Sequence, residues 1–75
     1  SSAYLGRVFR ESMQISISQY INQIRIQRAT ELLRDTTIPV ETIAGEVGFS
    51  NAKYFYVVFK NITGQTPLQF RKSCS

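Results

Sequence analysis

Val-Glu-Thr-Ile-Ala-Gly-Glu-Val-Gly-Phe-Ser-Asn-Ala-Lys-Tyr-Phe-Tyr-Val-Val-Phe-Lys, residues 40–60, reads as a short helix, a tight turn and a second helix. In the first helix Val40, Ile43, Ala44 and Val47 recur at the three-and-four spacing that lines one helix face with apolar side chains. Gly48 follows the last of them, and a glycine there takes the left-handed backbone conformation that closes a helix. Ser50, two residues on, is the expected N-cap of the second helix. In that helix Phe55, Val58 and Phe59 form the buried side at i, i+3 and i+4, leaving Asn51, Lys53, Tyr56, Val57 and Lys60 toward the other faces. Ala44, four residues before the turn glycine, is small enough to let the two helices approach closely. Such a pair is a helix-turn-helix. Its second helix either enters a DNA major groove or belongs to an ordinary helical hairpin, and the motif alone leaves that choice open.

The 75 residues make one small domain with an apolar fraction ordinary for a soluble chain. No run approaches the ~20 apolar residues needed to span a bilayer, and no charged segment followed by an apolar one suggests a signal peptide. The single cysteine, Cys74, stands almost at the C-terminus, where fraying is expected, so no internal disulfide forms and a cytoplasmic location fits. The net charge of +4 permits an anionic partner, and its distribution favours one. Glu31, Asp35, Glu41 and Glu46 crowd the middle of the chain, whereas Arg7, Arg10, Lys53 and Lys60 sit on two particular helices. An enzyme is not expected. The chain has no histidine, no Cys/His set for a metal, no phosphate-cradling glycine loop and no carboxylate pair placed in an evident apolar cleft, so neither metal nor cofactor is implied.

Taken in order, residues 1–12 read as a helix with Leu5, Val8 and Phe9 on its buried side and Ala3, Gly6, Arg7 and Arg10 on its outer side. After a connector at residues 13–15, Ser16-Ile17-Ser18-Gln19 has the capping-box form and opens a long helix expected to reach about Arg34. Its apolar stripe shifts. Ile17, Tyr20, Ile21 and Ile24 share one face, while Ile26, Ala29, Leu32 and Leu33 lie roughly a third of a turn further round at ~100° per residue. One helix therefore serves two cores. Thr36, Thr37 and Pro39 end it, with proline expected in the first turn of the next helix. Thr63-Gly64 stops the second motif helix, and Thr66-Pro67-Leu68-Gln69 is again a capping box, opening a short last helix through Phe70 and Arg71.

Sliding the sequence on itself by fifty residues exposes a repeat: Tyr4 falls on Tyr54, Leu5 on Phe55, Val8 on Val58, Phe9 on Phe59, Arg10 on Lys60, Ser16 on Thr66, Gln19 on Gln69 and Tyr20 on Phe70. The second copy is preceded by a supporting helix and turn, whereas the first begins at Ser1. The chain is therefore expected to start inside a helix-turn-helix whose first helix lies upstream. Leu5, Val8 and Phe9 would then lack partners, and that face would fray or self-associate with another copy.

These residues resemble a known family. Ile43-Ala44-Gly45-Glu46-Val47-Gly48-Phe49-Ser50, then Tyr54-Phe55, Val58-Phe59-Lys60, Thr63-Gly64, Thr66-Pro67 and Phe70-Arg71, are similar to the C-terminal signature of AraC/XylS-type bacterial transcription regulators. Tyr4-Leu5-Gly6-Arg7-Val8-Phe9 resembles that family's first recognition helix. Arg25-Ile26-Gln27-Arg28-Ala29-Thr30-Glu31-Leu32-Leu33 resembles its central linker helix. The resemblance covers essentially the whole chain but only part of the family's domain. It implies an all-α fold with two helix-turn-helix subdomains joined by a long linker helix, the first lacking its upstream helices. Residues 1–15 would carry the first recognition helix, 16–35 the linker and 38–72 the second subdomain.

The implied function is sequence-specific binding of double-stranded DNA, with the recognition helices in adjacent major-groove segments. Family base contacts transfer to Ala3, Gly6 and Arg7, with Ser2 beside them, and on the second helix to Asn51, Ala52, Lys53, Tyr56 and Val57. The family often has arginine where Val57 stands and a long polar residue where Ala52 stands. Lys53, Lys60, Arg10 and helix N-terminal amides are accordingly expected to hold phosphate. Arg7 is the best base reader, since arginine makes two hydrogen bonds to guanine; its alternative is a solvated side chain or an ion pair with Glu11. Tyr56 contacts a phosphate or thymine methyl, or is a partly packed surface tyrosine. Arg25 and Arg28 are expected to brace the subdomains electrostatically, and Phe9, Phe49, Phe55 and Phe59 to be core. An activator of this kind would also touch RNA polymerase. The competing function is a helical protein-interaction module in which an exposed Tyr56-Val57 pair marks the partner surface.

Overall fold

The computed structural model describes residues 16–75, which form four helices: α1 (Ile17–Asp35), α2 (Val40–Glu46), α3 (Ala52–Thr63) and α4 (Pro67–Ser73). The expected first helix, its connector and the part of the first repeat copy that precedes Ser16 lie outside these residues. Helix α1 begins as its capping box predicts. The Gln19 amide donates to Ser16 Oγ at 3.1 Å and the Ser16 amide to Gln19 Oε1 at 2.9 Å, which satisfies two of the donors a helix start leaves orphaned. At the other end both the amide and the hydroxyl of Thr36 donate to the Leu32 carbonyl, at 3.0 and 2.6 Å. Beside that end the Arg34 guanidinium donates to the Asp35 carboxylate at 2.8 Å, and this exposed bond holds the Asp35 carboxyl below its usual range.

Four residues carry the chain from α1 to α2, and here the expected position of proline is corrected. Pro39 is the N-cap of α2, with φ −57° and ψ 145°, and the first helical residue is Val40. Glu41 stands in the first turn, where a negative charge is favoured by the helix dipole. Helix α2 closes through two main-chain bonds, Phe49 N–H to Ala44 O at 2.9 Å and Gly48 N–H to Gly45 O at 3.2 Å. This is the Schellman closure, and it places Gly48 at φ +113°, a region that glycine enters without penalty.

A second correction concerns the start of α3. The expected cap was Ser50, but the helix begins at Ala52 and its N-cap is Asn51, whose Oδ1 accepts from the Tyr54 amide at 3.2 Å. A cap reaches the amide two or three residues into the helix, so Ser50 stands one position too early to serve. Helix α3 ends at Gly64, φ +82°, whose amide donates to Lys60 O at 2.8 Å. Helix α4 repeats the capping box with Thr66 and Gln69, at 3.2 and 2.9 Å, and with the buried Pro67 at its first position.

Every helix contributes to one core. Ile26, Ala29 and Leu33 come from α1, Val40, Ile43 and Ala44 from α2, Val47 and Phe49 from the turn, and Phe55, Val58 and Phe59 from α3. Phe49, Phe55, Phe59 and Phe70 form a chain of ring contacts, with successive centroids 5.3, 5.7 and 5.8 Å apart, that carries packing from the turn along α3 to α4. The shift in the apolar stripe of α1 is realised here in its second half: the face of Ile26, Ala29 and Leu33 is buried in this core. Ile21 and Ile24, on the other face, are 40% and 50% exposed and take no part in it.

Gly45 differs from Gly48. A Cβ on Gly45 would meet nothing within 4 Å, and its φ is not in the left-handed region. Gly45→Ala is therefore expected to stabilise the domain by up to ~1 kcal/mol, the helix propensity difference between the two residues. A thermal melt checks this, and an unchanged or lowered midpoint would contradict it.

Candidate nucleic-acid interface

The amphipathic pattern of α3 determines what it can present. Phe55, Val58 and Phe59 turn inward, and at ~100° per residue the direction opposite them is shared by Lys53, Val57 and Lys60, at i, i+4 and i+7. All of these outward residues are exposed. The backbone positions of the two lysines stand about 10 Å apart along the axis at 1.5 Å per residue, with Val57 between them on the same face. Helix α3 itself contains no acid; the nearest carboxylate in sequence is that of the exposed Glu46, which ends α2. The stripe is thus a cationic surface set on a rigid helix.

A depression runs along each side of this stripe. A groove of about 320 Å³ lies between α3 and the first half of α1, lined by Asn22, Gln23, Tyr54 and Asn61 among others. The Asn22 amide donates to the Tyr54 hydroxyl at 3.1 Å and bridges the two helices beside it. On the other side a depression of about 350 Å³ is lined by Tyr56, Lys60 and Thr66. Val57 and Asn61 border both, so they form the ridge between them.

The candidate residues of α3 fall into different environments. Lys53, Val57 and Lys60 share the outward stripe. Asn51 is exposed, but its side-chain oxygen is committed to capping α3. Ala52 is half-buried. Tyr56 is half-buried as well: its ring lies 5.9 Å from that of Phe55 and packs against the core, so the expected exposed Tyr56-Val57 pair reduces to Val57 alone. Ser2, Ala3, Gly6, Arg7 and Arg10 lie outside the described residues.

Two arginines make contacts that the sequence pattern did not announce. The Arg25 guanidinium lies 5.5 Å from the centre of the Phe49 ring, and a Cβ on Gly48 would fall 2.8 Å from Arg25 Nε. Arg25 therefore braces the turn by cation–π packing on an aromatic ring, while the expected bracing between the two subdomains involves residues outside those described. Arg71 donates to three carbonyls at the junction of α1 and α2: Nε to Leu33 O at 3.1 Å, and Nη2 to Thr36 O at 3.3 Å and to Ile38 O at 2.7 Å. In the sequence Arg71 was visible only as the closing residue of the Phe70-Arg71 pair.

Comparison with known proteins extends over nearly the whole chain. The family profile described as "Helix-turn-helix domain" matches residues 1–73. The Msm operon regulatory protein of Streptococcus mutans is 40% identical over 72 residues, which cover 96% of this chain and 26% of that protein. The arabinose operon regulatory protein of Escherichia coli is 38% identical over 74 residues, covering 99% of this chain and 25% of that protein. The chain thus spans about a quarter of the length of these relatives. Among solved structures, the C-terminal domain of AraT, a response regulator from Geobacillus stearothermophilus, superposes with a TM-score of 0.90 at 36% identity, covering 97% of this chain and 60% of that one.

Proposed function

From the premise that this chain belongs to the AraC-type helix-turn-helix domain family, we propose that α3 is a recognition helix lying in a DNA major groove, with Lys53 and Lys60 on phosphates. The chain is a DNA-binding module of a transcription regulator. The observation that carries the role of α3 is its outward stripe: two lysines on one exposed face, on a helix without acids, held by a core on the opposite side. On this reading α1, about 28 Å long at 1.5 Å per residue, spaces α3 from a first recognition helix carrying Arg7, and the two enter adjacent major-groove segments. Arg7 reads a guanine through two hydrogen bonds, whereas Arg10 joins the lysines in holding phosphate. Contact with RNA polymerase is the further proposal for an activator. A cytoplasmic location accompanies it, and no helix among the described residues is long and apolar enough to cross a membrane.

Salt titration of duplex binding tests the assignment. Each neutralised phosphate contributes about −0.9 to the slope of log affinity against log salt. Lys60→Ala is therefore expected to weaken cognate and random duplexes alike and to lower the slope by about 1. Arg7→Ala is expected instead to relax preference at one base pair, at about 1–3 kcal/mol. Identical profiles for both variants across a panel of duplexes would refute the division of roles, and affinity indifferent to salt would favour a protein-interaction surface.

A further inference from the structure

Val57 stands at the centre of the outward stripe with 57% of its surface exposed, four residues after Lys53 and three before Lys60. It adds little to the core, which Phe55, Val58 and Phe59 close on the opposite side of the helix. A side chain ending in two methyl groups neither donates nor accepts a hydrogen bond. In a major groove it cannot engage the donor and acceptor patterns of guanine, adenine or cytosine; the one apolar feature displayed there is the C5 methyl of thymine. The surroundings suit such a contact. Val57 rises on a ridge between two depressions, so the edge of a base pair can approach it closely. As a β-branched residue it is stiff at χ1, and little side-chain freedom remains to be lost on contact.

We infer that Val57 is a specificity residue that reads a thymine methyl group in the segment entered by α3. The inference rests on α3 being a recognition helix, and it adds base reading by Val57 to the phosphate contacts expected of Lys53 and Lys60. Lys53 and Lys60 supply sequence-independent attraction on either side of Val57, and the valine supplies preference for one base. Because the recognised feature is the methyl group, 5-methylcytosine replaces thymine at that position better than cytosine does.

The test starts by enriching duplexes from a randomised double-stranded oligonucleotide pool with the 75-residue chain. Each thymine of the best duplex is then replaced by deoxyuridine in turn, and binding is followed by fluorescence anisotropy. At one or two thymines the replacement is expected to raise Kd about fourfold, which corresponds to ~0.8 kcal/mol for one methyl group removed from water. In Val57→Ala the same replacement should have little effect, while thermal melting shows the fold unchanged. Uracil duplexes that all bind like their parent would overturn the inference, and so would a uracil penalty undiminished in Val57→Ala. If Lys60→Ala still weakened every duplex in either case, the DNA-binding reading would survive alone. A chain that enriched no duplex would overturn both.

Discussion

Gly48→Ala is expected to destabilise the domain by at least the ~1–3 kcal/mol that a non-glycine residue costs in a left-handed backbone region. The Schellman closure of α2 requires φ +113° at this position, because the amides of Gly48 and Phe49 must turn back on Gly45 and Ala44. An L-residue there is strained whatever space surrounds it, and here space is short as well. The added Cβ would lie 2.8 Å from Arg25 Nε and 3.2 Å from Arg25 Cζ, so the guanidinium would have to leave its place over Phe49. The two causes separate in a double-mutant cycle followed by urea unfolding. Arg25→Ala alone should forgo about 0.5–1 kcal/mol of cation–π attraction. If displacement of Arg25 is part of the damage, the double variant should be more stable than the sum of the single effects predicts. Strict additivity would place the whole cost in the backbone, and a Gly48→Ala chain as stable as the parent would contradict the closure itself.

Comparison of Gly48 with Arg25 shows what sequence reasoning reaches. The glycine was legible because its role is local: it follows the last residue of an apolar period and precedes the next cap. The capping boxes at Ser16-Ile17-Ser18-Gln19 and Thr66-Pro67-Leu68-Gln69 were legible for the same reason, since each closes within four residues. Local chemistry also has neighbouring solutions. Ser50 and Asn51 are both good caps, and only the register of α3 decides that Asn51 serves. The contacts of Arg25 and Arg71 cross between elements far apart in sequence, and no periodicity announces them. Of the candidate interface, the basic stripe could be read from the spacing of Lys53 and Lys60. Tyr56 could not be assigned, because its position on the wheel lies between the buried and outward sides and its burial depends on the core beside it. Val57 drew notice as a departure from the family pattern, whereas its place on a ridge between two depressions is a property of the packed helices.

Arg71→Met is expected to cost about 1.5–3 kcal/mol, the range for hydrogen bonds to charged groups, and Arg71→Lys distinctly less. The chain changes direction between Asp35 and Val40, and the carbonyls of Leu33, Thr36 and Ile38 have no helical amide to accept from. One planar guanidinium serves all three from part-buried positions, with bonds of 2.7 to 3.3 Å. Methionine keeps the aliphatic stem and the packing but removes every donor. Lysine keeps the charge and can reach one carbonyl but cannot span the three, so it should restore only part of the loss. The contact ties α4 to the junction that orients α2, and α2 in turn supports the turn and α3. Loosening it should therefore weaken duplex binding without changing the slope against log salt, because no phosphate contact is removed. Urea unfolding of the three chains measures the first effect and salt titration the second. Equal unfolding midpoints for Arg71→Met and the parent would show that water satisfies these carbonyls as well as Arg71 does. A reduced slope would show that Arg71 itself touches the DNA backbone.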